Sequence, residues 1–313
     1  MKPDGTVIAR YGSRDSRDRM TLNSMDGFKL TMSRVLDAYQ KWPEDKDLYQ
    51  QKRGPDYEFQ QPEDIPSETI KKLVARNDSE RGCIHCHNIY DAKREVDISR
   101  GVYDPWKRWK YPLPDRIGLG VDPMSGTTIT KVLPGSAAAR AGVQAGEEIE
   151  VIDGQAIHSL ADVQFALHHL ADEGVVEITT RRGDAGQKAR SLELAKGWRV
   201  GEIGWRASMY EMPPRLGLWV QAATGEEKDQ LQIPPERLAL NIKGVFGQEV
   251  RKAGFKKGDV IIEFNGHTDH HTEGQFQAYV RLNHYRPNAV LPIKVLRAGE
   301  ANELRVLFPN QFN

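Results

Sequence analysis

Apolar and polar positions alternate with three different rhythms along this chain. Behind an Asp4-Gly5 turn, Thr6-Val7-Ile8-Ala9-Arg10-Tyr11 predicts a strand. Phe28, Met32, Val35, Leu36 and Tyr39 then recur at helical spacing and predict an amphipathic helix. Residues 41–66 lose all periodicity, with Pro43, Gly54-Pro55, Pro62 and Pro66 interrupting any regular element. Ser67 caps a short helix carrying Ile70, Leu73 and Val74, and a second helical segment runs through Ile89-Tyr90. Residues 101–112 are rich in aromatic residues and proline, with Trp106, Trp109 and Tyr111, which suits covering a haem face or, equally, packing at a domain junction.

From about residue 115 the rhythm changes to short β-branched runs between glycine turns. Leu119–Val121, Thr127–Val132, Val175–Thr180 and Leu192–Leu194 read as strands, around a helix carrying Leu160, Val163, Phe165, Ala166, Leu167 and Leu170. The same order recurs near the end, an internal repeat. There, strands are expected at Leu238–Ile242, Val245-Phe246, Val290–Leu296 and Leu304–Phe308, with a helix over Glu273–Leu282.

Two runs carry a resemblance. Leu133-Pro134-Gly135-Ser136-Ala137-Ala138-Ala139-Arg140-Ala141-Gly142-Val143, followed by Gly146-Glu147-Glu148-Ile149 and Asp153-Gly154, resembles a bacterial-type PDZ domain, with Glu147 where aspartate is usual. Ala253-Gly254-Phe255-Lys256-Lys257-Gly258-Asp259-Val260-Ile261 and Asn265-Gly266 match the same pattern in the second repeat, which lacks the Pro-Gly-Ser stretch. The resemblance implies capture of an extended peptide at a sheet edge, with loop amides on a terminal carboxylate. It places that site at Arg116, Ile117, Gly118, Leu119 and Gly120 in the first repeat, and at Leu238, Ala239 and Leu240 in the second. The PDZ runs are also similar to those of HtrA-type proteases, whose G-x-S-x-G protease motif this sequence does not contain.

The chain has 44 basic and 44 acidic residues, so its formal charge is zero and binding dominated by charge, to nucleic acid or a membrane surface, is not expected. No run of about 18 apolar residues predicts a transmembrane span. Both cysteines fall in one motif, Cys83-Ile84-His85-Cys86-His87. This C-x-x-C-H spacing suits covalent haem c, with two thioethers and His87 as axial ligand. A zinc knuckle, a redox dithiol and a strained disulfide are the alternatives. Met209 and Met212, in a Pro-stiffened loop, are candidates for the sixth iron ligand. His267, His270 and His271 follow the Asn265-Gly266 turn and read as a solvated loop.

The order of parts resembles bacterial thioredoxin-like/PDZ proteins, some of them selenoproteins, that carry a C-x-x-C-H segment. That resemblance implies an α+β multidomain chain. Residues 1–40 would be a thioredoxin-like strand–helix remnant, 41–112 a linker with a short helical haem c segment, and 113–198 a first PDZ domain. Residues 199–236 would be an inter-repeat loop and 237–313 a second PDZ domain. The expected function is exported haem c electron transfer, with a redox partner protein or peptide docked on the PDZ modules; a non-haem PDZ scaffold is the alternative. Covalent haem attachment occurs outside the cytoplasm, and Met1-Lys2-Pro3-Asp4-Gly5 is no signal peptide, so a leader and a redox centre are expected upstream.

Overall fold

The computed structural model describes residues 1–2, 4–15, 20–42, 44–53, 58–75, 84–104, 108–201, 215–284 and 288–308. The chain forms two compact units: residues 1–57 with 106–201, and residues 58–105 with 202–313.

In chain order, α1 spans Met25–Gln40, and α2 and α3 span Glu68–Ala75 and Cys86–Ser99. The first repeat follows: β1 Leu119–Val121, β2 Ile129–Val132, α4 Ala137–Arg140, β3 Glu148–Ile152, β4 Gln155–Ala156, α5 Leu160–His169, β5 Gly174–Arg181 and β6 Gln187–Leu194. The second has β7 Leu218–Ala222, α6 Gly225–Gln230, β8 Leu240–Val245, α7 Gln248–Lys252, β9 Val260–Phe264, α8 Glu273–Asn283, β10 Val290–Arg297 and β11 Glu300–Leu307. Element for element, β1-β2-α4-β3-α5-β5-β6 corresponds to β7-β8-α7-β9-α8-β10-β11.

In the first repeat, the antiparallel pair β1-β2 stands with a four-stranded sheet in the order β4-β3-β5-β6. Its core joins Ile117, Leu119 and Ile129 to Val163, Ala166 and Leu167 of α5. Glu147, just before β3, is buried and accepts from Arg190 Nη2 at 2.6 Å and Thr180 Oγ1 at 2.8 Å. Burial alone would raise its carboxyl, but these hydrogen bonds hold it below the usual range. In the second repeat one sheet runs β11-β10-β9-β8-β7 around a core that includes Leu240, Phe264, Phe276 and Val295. Its counterpart of Glu147 is Asp259, held by both Nε and Nη2 of Arg297 at 2.7 Å.

The amino-terminal segment belongs to the first unit. Residues 6–14 run without joining a sheet, so the expected strand is absent. The helix forms as expected, capped by Ser24 Oγ on Gly27 N at 2.9 Å, but it packs by a neighbouring face, with only Val35 of the expected stripe against the core. Gly27, Thr31 and Ala38 are buried, while Phe28, Met32, Leu36 and Tyr39 are exposed. The cause is close approach: a Cβ on Gly27 would lie 2.9 Å from Pro123 O. Arg34 is drawn to the same side, donating to Ser125 O at 2.6 Å and His158 O at 3.1 Å. A thioredoxin-like remnant is not shown: the segment lies in the first unit as a cover on the first repeat.

The proline-broken stretch after α1 is also ordered. A 3-10 helix over Lys46–Arg53 buries Tyr49 and Lys52. Lys52 Nζ spends its three protons on Ile8 O at 2.7 Å, Ala156 O at 2.7 Å and Asp162 Oδ1 at 3.0 Å. Within the second unit, α2 and α3 pack through Ile70, Ala92 and Val96, and Ser67 Oγ caps Ile70 N at 3.1 Å as expected.

Candidate functional site

The two repeats open on one four-residue pattern. Arg116-Ile117-Gly118-Leu119 leads into β1, and Arg215-Leu216-Gly217-Leu218 leads into β7. The residues flanking each glycine, Ile117 and Leu119, Leu216 and Leu218, are buried in their cores. Both glycines are left-handed, at φ 92° and 72°. A Cβ on Gly118 would lie 2.0 Å from Ser136 Oγ, and one on Gly217 would lie 2.5 Å from Gly247 Cα. Ser136 and Gly247 are the N-caps of α4 and α7. The glycine carbonyls are held alike, by Leu133 N and Phe246 N, each at 2.8 Å. Only glycine satisfies both the dihedral and the contact.

The strand that follows each loop has one open edge. Among the described residues β1 pairs with β2 alone, and β7 ends its sheet with β8 as its one neighbour. An edge strand presents alternate N–H and C=O groups to any extended chain laid beside it. In the second repeat α8 packs against β7, so a helix stands beside the open edge.

The expected site residues divide accordingly. Arg116 to Gly120 form the first loop and strand, but the Arg116 guanidinium is occupied. It pairs with both oxygens of Asp115 and donates to Val200 O at 3.0 Å. The Asp115 hydrogen bond raises it further above its ordinary value, so its charge is largely neutralised within the loop. Leu238, Ala239 and Leu240 are buried, and Leu240 lies in β8, paired on both sides by β7 and β9. A strand with two neighbours has no edge to offer. The edge of the second repeat is β7, within the stretch 199–236 read from sequence as a loop. Leu218 and Val220 point inward and Trp219 and Gln221 outward, an alternation that was available to find it. Met209 and Met212 lie outside the described residues, as does Cys83. Cys86 and His87 open α3, and only their backbone is described.

Between the 3-10 helix over Lys46–Arg53 and β4 lies a polar interior. His158 Nε2 meets Tyr49 Oη at 3.0 Å, with Lys52 and Asp162 close behind. Burial, then the cations Lys52 and Arg34, push His158 down to about 3, and burial pushes Tyr49 up to about 12. These groups hold the amino-terminal cover in place.

Compared with known proteins, residues 128–182 match the PDZ domain family. The chain carries a PDZ domain. Among curated proteins it is similar to a probable periplasmic DegP-like serine endoprotease of Pseudomonas savastanoi, at 29% identity over 47% of this chain and 30% of the relative. A protein of the same description from Pseudomonas putida is 26% identical over 59% of this chain and 38% of its own length. The chain thus spans about a third of the curated relatives it matches. Among solved structures, an HtrA-type protease AlgW variant with a decapeptide covers 58% of this chain and 54% of its own, at 16% identity and a TM-score of 0.29. The photosystem II D1 C-terminal processing protease covers 40% of this chain and 36% of its own, at 23% identity and a TM-score of 0.22.

These relatives correct the chemistry read from the cysteine motif. They are serine endoproteases, whose hydrolysis uses no haem, and the haem c, cytochrome and electron-transfer reading of Cys83, Cys86 and His87 is overturned by them. Met209 and Met212 lose their role as iron ligands with it, and a redox partner has no support. Among the described residues no helix is long and apolar enough to cross a membrane.

Proposed function

We propose that this chain is an exported tandem PDZ protein that captures extended peptides by strand addition at β1 and β7. The observation that carries it is the repeated Arg-apolar-Gly-Leu loop feeding a strand with an open edge, seen in both repeats. Backbone pairing supplies the affinity, and the left-handed glycine turns loop amides toward the end of the bound segment. Buried Ile117, Leu119, Leu216 and Leu218 hold the two loops against their cores rather than touching the ligand. The periplasmic DegP-like relatives support both the exported location and a part in delivering polypeptides to proteolysis.

The test uses the full chain and dye-labelled decapeptides with apolar carboxyl ends, read by fluorescence anisotropy. Parent peptides should bind, and N-methylation at alternate amides should abolish binding. Amidation of the carboxyl end should weaken it. Hydrogen exchange should slow at residues 116–121 and 215–222 on binding. Equal binding of N-methylated peptides, or no protection in either strand, would defeat the proposal.

A further inference from the structure

The loop joining β9 to α8 was read from sequence as three solvated histidines. The structure regroups it. His267 and Asp269 each form a β-bridge, with Phe264 and Arg237 respectively, so the segment is extended. Side chains two apart on an extended segment share a face. His267, Asp269 and His271 therefore stand together, and His270 is exposed on the other side. Their ligand atoms all lie within 4.8 Å of one another.

The scaffold beneath this face is fixed at several points. Phe264 and His267 exchange both backbone hydrogen bonds, at 3.1 and 2.8 Å. Leu238 N donates to Thr268 O at 2.9 Å, and His270 N donates to Glu236 O at 2.8 Å. Immediately after His271, Thr272 caps α8 through Gln275 N at 3.2 Å. The rings are held too: His267 and His271 both pack on Phe264, with centroids at 5.2 and 5.0 Å. His271 Nδ1 lies 3.0 Å from the Asp269 carbonyl oxygen. Donation by Nδ1–H to that carbonyl leaves Nε2 as a free lone pair, the arrangement by which proteins orient a metal-binding imidazole.

We infer that His267, Asp269 and His271 form a site for a divalent late first-row transition ion, zinc foremost. Two imidazoles and a carboxylate are borderline ligands that suit zinc and discriminate against magnesium and calcium, which want all-oxygen shells. Ligand bonds of about 2.0–2.2 Å in a tetrahedron place donor atoms roughly 3.3 Å apart. The cluster must contract by about 1.5 Å, which the exposed Asp269 side chain can supply by rotating inward. Water completes the fourth position. This inference does not rest on peptide capture: the cluster lies in the β9–α8 loop and uses no residue of the β7 edge.

The test is zinc titration of the full chain by calorimetry, after both cysteines are alkylated so that Cys83 and Cys86 cannot compete. Cobalt titration, read by its visible d–d bands, checks for nitrogen and oxygen ligation without thiolate. The wild type should bind one zinc that His267→Ala and His271→Ala lose. Loss of outer-shell partners already costs about 10–100-fold in metal affinity, so removing a ligand should cost at least that. Asp269→Ala, at an exposed position where folding is not at stake, should weaken binding by at least tenfold, and His270→Ala should leave it unchanged. Magnesium and calcium should give no heat. Wild-type binding in the His267→Ala, His271→Ala and Asp269→Ala variants, or equal loss in His270→Ala, would overturn the inference.

Discussion

Removing Asp162 should release the amino-terminal cover from the first repeat. Its side chain is fully buried, and Lys52, its partner at 3.0 Å, is 1% exposed. Asp162 also accepts Arg10 N at 3.1 Å and His158 N at 3.2 Å, so it joins three separate parts of the chain. Asp162→Ala leaves the Lys52 ammonium buried without a counter-charge, a loss of about 3–5 kcal/mol for a broken buried pair. Lys52→Met takes the nearest counter-charge from the carboxylate, which keeps two backbone N–H donors and Arg10 Nη1 at 3.9 Å, so its cost should lie toward the lower end of the same range. The double variant strands no charge, although it still orphans the Ile8 and Ala156 carbonyls. Its loss should therefore fall short of the sum of the single losses by at least about 2 kcal/mol, within the coupling seen for contacting residues. Pulsed hydrogen exchange across a urea series, read peptide by peptide, reports the two units separately. Only the unit holding residues 1–57 and 106–201 should shift. Single losses below about 1 kcal/mol, or additivity within about 0.5 kcal/mol, would refute the pinning role.

Other consequences can be measured on the same protein. His158 titrates near 3 when folded against about 6.5 unfolded, so between these values the unfolded chain binds more protons. Stability of the first unit should fall as pH drops from about 6.5 toward 3, by up to a few kcal/mol, and His158→Gln should flatten that slope in urea melts at stepped pH. Gly217→Ala, which drives a Cβ into backbone at 2.5 Å, should destabilise the second repeat by more than about 2 kcal/mol. Gly299→Ala, also left-handed but with nothing within 4 Å, should cost only about 1–2 kcal/mol by thermal melt.

The first PDZ repeat was legible because its signals are local. Glycine turns, short alternating strands and the Ser136 cap all act within a few residues. The start of the second repeat was lost because β7 is followed by α6, an insertion with no counterpart in the first, so the repeat was aligned one strand late. The face of α1 was misjudged for another reason. Periodicity weights large side chains, whereas packing here is won by the absent side chain of Gly27 and the reach of Arg34. No sequence signal announced Lys52 as buried, since two of its three partners, Ala156 and Asp162, stand more than a hundred positions away. The C-x-x-C-H motif is specific in spacing, yet spacing alone did not fix its chemistry. The histidine cluster reversed in the opposite sense: three histidines drew the eye, and the backbone exchanged one of them for Asp269.

The same buried lysine sets a timetable for the nascent chain. Its carbonyl acceptor on Ala156 is 104 residues away and Tyr49 waits 109 for His158. At about 5–20 residues per second, a completed amino-terminal segment stands idle for roughly 5–20 s before the surface it covers has been made. During that interval Ile8 and Tyr49 have nothing to shelter them, and the lysine keeps the segment hydrated. A charge that is costly to bury late therefore works as protection early, holding the first residues in solution until the repeat is ready to receive them.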